Sequence, residues 1–213
     1  AMAPGSDVGV IRIVQFSVGA GRQVREAVEQ ALDEGATGFV LDLRGNPGGL
    51  VDETLDAMSA FLDEGVAYLE RRRDADPIEV RVDAGRAIDP EIPVVALVDY
   101  GTASSGEILA AGLRDNGRAT IVGEQTFGTG TILNTLRLSD GSALRLGVRE
   151  WLAPDGEGVF RVGVAPDEEI AMPLGGTRLS PPDLLTLTPI DFENSEDVPL
   201  RHAVRLAEAG ARS

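Results

Sequence analysis

Residues 38–49, "GFVLDLRGNPGG", decide how the chain folds. "GFVLDL" is an almost continuous apolar run, as in a strand covered on both faces, and such strands belong to parallel sheets. "RGNPGG" breaks the strand at a proline and two glycines. Upstream, Val24, Val28, Ala31 and Leu32 recur at helical spacing, and Gly35 sits where a helix stops. Downstream, Val51, Leu55, Met58 and Leu62 mark a second helix. Residues 9–16, "GVIRIVQF", alternate apolar and polar and predict a half-buried strand. Strand, helix, strand, loop, helix is a βαβ unit, so the class is α/β on a parallel sheet.

Further along, residues 66–72 and 78–82 read as two strands around "DADP", a hairpin excursion. "IPVVALVD" is a third buried strand, followed by a helix over 105–114 and a strand at "ATIVG". From 130 to 163 the pattern becomes short alternating strands, with "SDGS" as a hairpin signal. Residues 173–195, rich in Pro, Gly, Ser and Thr, read as an extended loop or linker. "EDVPLRHAVRLAEAG" closes the chain as a short helix with Leu200, Val204 and Ala207 on one face. The expected organisation is a linker or cloning remnant over 1–8, an α/β core over 9–172, and a loop plus helix over 173–213. That last segment is expected to pack on the core or on a partner.

The 213 residues, 43 % apolar and 25 % charged, suffice for one large domain or one domain with an appendage. No apolar run approaches the roughly 18 residues that span a bilayer. "AMAPGSDVG" lacks the charged and apolar regions of a signal peptide, and reads as the lead into a domain cut from something longer. A formal charge of −16 argues against nucleic acid, which needs clustered cations. With no cysteine, disulfides and thiolate chemistry are excluded. All 19 cationic Lys/Arg positions are arginine, and His202 is the sole histidine, so the usual bases for a serine nucleophile are nearly absent.

Two loops could carry chemistry. In "SSGE", Ser104 and Glu107 form the pattern of a helix capping box. The same serine, just past a buried strand, would sit at the carboxyl edge of the sheet, where open α/β folds place ligands. There the helix N-terminus favours a developing oxyanion. The glycines of "RGNPGG" permit either a tight turn or backbone N–H groups facing a ligand. A phosphate cradle would need G-x-G-x-x-G or a P-loop lysine, and neither is present.

The blocks "GVIRIVQF", "FVLDLRGNPGGLV", "FLDEG", "PVVALVDYGTASSGEILAAGLRDNGRATIVGEQTFGTG", "LSDGSALRLGV", "GVAPDEEI" and "VPLRHAVRLAEA", in this order, resemble the C-terminal processing peptidases, or tail-specific proteases. The resemblance implies a ClpP/crotonase-like core with an added β-rich C-terminal segment. Family members usually carry a PDZ domain and helical segments before it, and neither is recognisable here. In the family a serine of S-A-S-E is the nucleophile and a lysine of F-G-K-G its general base. Ser104 matches that serine, and Thr129 of "FGTG" stands where the family has the lysine. Asp115 matches the family's supporting aspartate. Leu133 falls on a family glutamine, and Gly106 replaces the second serine. The implied oxyanion donors are the backbone N–H groups of Gly48 or Gly49 and of Ser105. A polypeptide read through its C-terminus, an extracytoplasmic location, and neither cofactor nor metal are implied as well.

Position 129 decides the expected activity. A buried lysine with a lowered pKa can take the serine proton, whereas a threonine cannot hold it. His202 reads as a surface residue of the final helix, and Asp115 or Glu124 would need burial to become useful bases. General-base catalysis supplies about 10²–10⁴-fold. Oxyanion stabilisation and binding retain roughly 10³–10⁴-fold over water in the serine-protease template. The sequence therefore predicts a serine-type peptidase with very slow or absent hydrolysis, or a silent peptide-binding or scaffold pseudo-peptidase. A base supplied from outside residues 1–213, or by another copy in a homo-oligomer, would change that balance. A crotonase-like acyl-thioester enzyme would use the same donors, but nothing resembles an adenosine-recognition site.

Overall fold

The computed structural model describes residues 1–73, 75–83 and 87–211. The βαβ unit is formed by β1 (Val8–Arg12), α1 (Ala20–Asp33), β2 (Gly38–Asp42) and α2 (Val51–Met58). β3 (Val66–Arg71) and β4 (Ile78–Arg81) make the antiparallel excursion, of whose expected turn Asp74 lies outside the described residues. Then come β5 (Val94–Val98), α3 (Ser105–Asp115), β6 (Thr120–Gly123), β7 (Thr131–Arg137), β8 (Ala143–Leu152) and β9 (Glu168–Glu169). Three helices follow: α4 (Pro181–Leu184), α5 (Pro189–Glu193) and α6 (Val198–Gly210).

The main sheet has the order β1-β2-β5-β6-β9, all parallel, with Val10 opposite Val40 and Leu41 opposite Ala96. Side chains alternate across it as strand pleating requires. Ile11, Phe39, Leu41, Ala96, Val98 and Ile121 join the core on the α1–α3 side, while Val10, Val40, Val95, Leu97 and Val122 join the core with α6. Sheets covered on both faces need strands apolar throughout, which is why "GFVLDL" and "IPVVALVD" read as they do. A second, antiparallel sheet of order β4-β3-β8-β7 flanks the first.

Several expectations are revised. The first strand is Val8–Arg12 and buried on both faces, not half-buried over 9–16, because α4 and α6 cover the side expected to meet solvent. Residues 1–3 fold back along it: Met2 bridges Gly9, and Ala3 is buried. The stretch 130–163 holds one long hairpin, β7–β8, rather than a set of short strands. The loop expected over 173–195 contains α4 and α5, whose Leu184 and Phe192 enter the α6-side core. Both short helices start with Ser180 or Thr188 followed by proline and by an aspartate at the third helical position, a cap pattern that proline-rich composition disguised.

The final segment is tied to the carboxyl edge of β2 by a buried ion triad. Arg44 Nε and Nη2 donate to Asp42 at 2.8 and 2.9 Å, and its Nη1 and Nη2 donate to Asp197 at 2.7 and 3.0 Å. Asp197 also accepts from Leu200 N–H, capping α6. The two carboxylates overcome the burial that would otherwise favour loss of charge, and raise the pKa of Arg44 above its ordinary value.

Candidate active site

Ser104 sits between β5 and α3 with φ 54 and ψ −119, a conformation that residues other than glycine rarely adopt. Such backbone costs about 1–3 kcal/mol and persists where surrounding structure enforces it. A strained serine turn from strand to helix is also how α/β hydrolases expose a nucleophilic hydroxyl.

The enforcing contacts are all on one edge of the sheet. Asp99 Oδ1 accepts from Gly45 N–H at 2.8 Å and Gly101 N–H at 2.9 Å, fixing the loops after β2 and β5 to each other. Asn46 continues the link: its carbonyl accepts from Ala103 N–H at 2.8 Å, and its Nδ2 donates to the Ile13 carbonyl at 2.8 Å. Gly48 then packs against the serine so closely that a Cβ there, at φ +96, would lie 2.6 Å from Ser104 Cβ. Ser105 Oγ donates to the Gly49 carbonyl at 3.1 Å.

The expected capping box forms, but Glu107 does more than cap. This carboxylate has no exposed surface. Its Oε2 accepts from Ser104 N–H at 2.8 Å and from Thr129 N–H at 3.0 Å. Its Oε1 accepts from the Thr126 hydroxyl at 2.6 Å and from Gly128 N–H at 2.7 Å. One buried side chain thus holds the serine turn and the "FGTG" loop together.

Ser104 and Thr129 line one cleft of about 420 Å³, together with Gly48 and Gly49. Its walls are apolar at Val51, Ile108, Ile132, Leu133 and Trp151, and carry one charged side chain, Arg145. Of the two glycines that stand as alternative donors, Gly48 has its N–H on Asn46 Oδ1 at 2.8 Å, closing the turn. The N–H groups of Gly49 and Ser105 donate to none of the described residues. Ser105 opens α3, where a first-turn N–H has no helical acceptor.

Asp115 does not join them. It ends the helix that Ser104 begins, so eleven residues of rise set it roughly 16 Å away along the axis. There it pairs with Arg114 at 2.7 Å and accepts from Asp155 N–H. His202 lies on α6, across the sheet from the cleft, with Nε2 2.5 Å from Glu168. Glu124 does not line the cleft; its N–H donates to the Val98 carbonyl. Glu107 is the site residue that sequence reading undervalued. The signal was present in its capping position, but its grip on residues 126–129 depends on a loop about twenty residues further on.

A strained serine at the carboxyl edge of a parallel sheet, beside apolar walls and amides that donate to none of the described residues, is an arrangement similar to that of serine hydrolases. The model of peptidase family S41 matches residues 7–170, and the chain belongs to that family, with a ClpP/crotonase-like α/β core. It is 40 % identical over 171 residues to a carboxyl-terminal-processing protease of Synechocystis sp., covering 80 % of this chain and 40 % of that protein. It is 34 % identical over 170 residues to the carboxy-terminal processing protease CtpA of Bacillus subtilis, covering 79 % of this chain and 36 % of that one. Among solved structures, the photosystem II D1 C-terminal processing protease matches with a TM-score of 0.70 and 33 % identity, over 80 % of this chain and 45 % of that one. The chain therefore spans about two-fifths of the length of these relatives. No described helix is long and apolar enough to cross a membrane.

Proposed function

We propose that the domain is the core of a serine-type C-terminal processing peptidase in which Ser104 is the nucleophile and turnover is very slow. The supporting observation is the cleft shared by Ser104 and Thr129, clamped by Glu107. Ser104 Oγ would attack the peptide carbonyl, and the N–H groups of Gly49 and Ser105 would receive the developing oxyanion. The hydroxyl proton needs an acceptor as the new C–O bond forms. Thr129 cannot take it, because a hydroxyl is no stronger a base than the serine itself. Water must then serve, at a loss of about 10²–10⁴-fold. The second reading, a peptide-binding pseudo-peptidase, is favoured by the same threonine: binding survives while chemistry does not.

The substrate, by likeness to the processing proteases, is a polypeptide engaged through its C-terminus, and the location is extracytoplasmic. The expected result of Thr129→Lys is a gain of at least about 10²-fold in peptide hydrolysis over the parent. Ser104→Ala in that background should remove the gain. A parent rate equal to that of Ser104→Ala alone would leave the pseudo-peptidase reading. A lysine variant as silent as the parent would reject the site assignment.

A further inference from the structure

Among the described residues lining the cleft, Arg145 is the one charged side chain. It makes no hydrogen bond or ion pair to the described residues. That is notable in a chain with 35 acidic residues against 19 cations. Its strand neighbour Arg149 is held by Glu70, and Arg71 by Glu150. Arg145 projects from β8 opposite Thr135 of β7, a backbone position fixed by the hairpin register. The chain's overall field repels anions, so an anion retained in this cleft must be held by local contacts.

We propose that Arg145 is a specificity-determining residue that binds a carboxylate of the peptide in the cleft. This rests on the reading of the cleft as a peptide site, and it deepens that reading. A guanidinium offers paired N–H donors matched to a carboxylate, and a charge-assisted bond of this kind is worth more than a neutral one. The carboxylate is either the peptide's own C-terminus or an Asp or Glu side chain. Apolar walls at Ile108, Val51 and Trp151 then take the neighbouring side chain.

The test uses the whole 213-residue protein and its single tryptophan, Trp151, which lines the cleft and reports occupancy by its fluorescence. Calorimetry serves as a second readout. Apolar peptides of one sequence are titrated with a free C-terminal carboxylate, with a C-terminal amide, and with an internal Glu or its Gln counterpart. The free acid should bind about ten-fold or more tightly than the amide if the terminus is the ligand. The Glu peptide should outbind the Gln peptide if a side chain is. Arg145→Gln should erase whichever preference the parent shows, and Arg145→Lys should restore part of it. Equal binding of charged and neutral peptides by the parent, or a preference undiminished in Arg145→Gln, overturns the assignment to Arg145. If no peptide binds by either readout, the peptide-site reading falls and this proposal with it. A purely structural role for Arg145 would change all affinities together and leave the acid-to-amide ratio unchanged.

Discussion

The junction around Glu107, which holds Ser104 and Thr129, and the β7–β8 hairpin, which supplies Thr131, Ile132, Leu133 and Arg145, both contribute to one cleft and are built in opposite ways. At the junction, four donors converge on a carboxylate without exposed surface, and Gly48 touches Ser104 with no room for a methyl group. At the hairpin, Leu133, Leu136, Leu144, Leu146 and Val148 are each 43–47 % exposed. Only residues 150–152 of β8 pair with β3, so the tip is a ribbon of two strands. The junction fixes where a hydroxyl must be. The hairpin supplies Leu133 and Arg145 to the lining of the cleft. Precision belongs to the buried side and choice to the solvated one, a division in keeping with the physical cost of each.

The largest effect is expected from breaking the junction. Glu107→Ala leaves four donors without an acceptor in a dry site, and should cost about 3–5 kcal/mol of stability by denaturant unfolding. A loss below 1 kcal/mol would mean that water enters and the clamp is not what holds Ser104. A milder contrast comes from a similar device at the surface. Glu53 accepts from Gly19 N–H at 2.8 Å and Gly21 N–H at 3.0 Å, at the start of α1. These backbone bonds lower its pKa from the ordinary 4.5. A lowered folded-state pKa stabilises above the unfolded value, and that contribution disappears as pH falls through the folded one. Glu53→Gln should therefore be less stable than the parent at pH 7, and the difference should shrink as pH falls below the ordinary carboxylate range. A gap that widens on acidification would reverse the assignment. Smallest of all, Leu144→Ser at the hairpin tip should shift stability by no more than about 0.5 kcal/mol. A large loss there would show that the ribbon is covered in solution and would narrow the contrast with the junction.

How much of this was legible depends on the range of the interactions. "GFVLDL" and "IPVVALVD" announce their strands because burial on both faces writes itself into consecutive residues. Ser104 and Glu107 are readable as a cap because helix termini are local. The grip of Glu107 on Thr126, Gly128 and Thr129 is not readable, since nothing in three residues of cap tells which loop will fold over it. Asp115 shows the reverse case. It matches the family's supporting aspartate in sequence, although the rise of its own helix separates it from the serine. Which of Gly48 and Gly49 has its N–H unused is not readable either, since it turns on Asn46, two residues earlier, curling back to take that of Gly48. α4 and α5 escaped because prolines that start helices look, in composition, like prolines that prevent them.

The triad of Asp42, Arg44 and Asp197 joins partners 153 positions apart. A ribosome releases the glycine corner long before it releases the carboxylate that completes Arg44's pairing. Until α6 docks, the corner beside the serine holds a guanidinium with only half its partners, an arrangement too costly to bury. The last helix is therefore part of the foundation of the glycine corner: the charge of Arg44 is fully matched only with Asp197 in place.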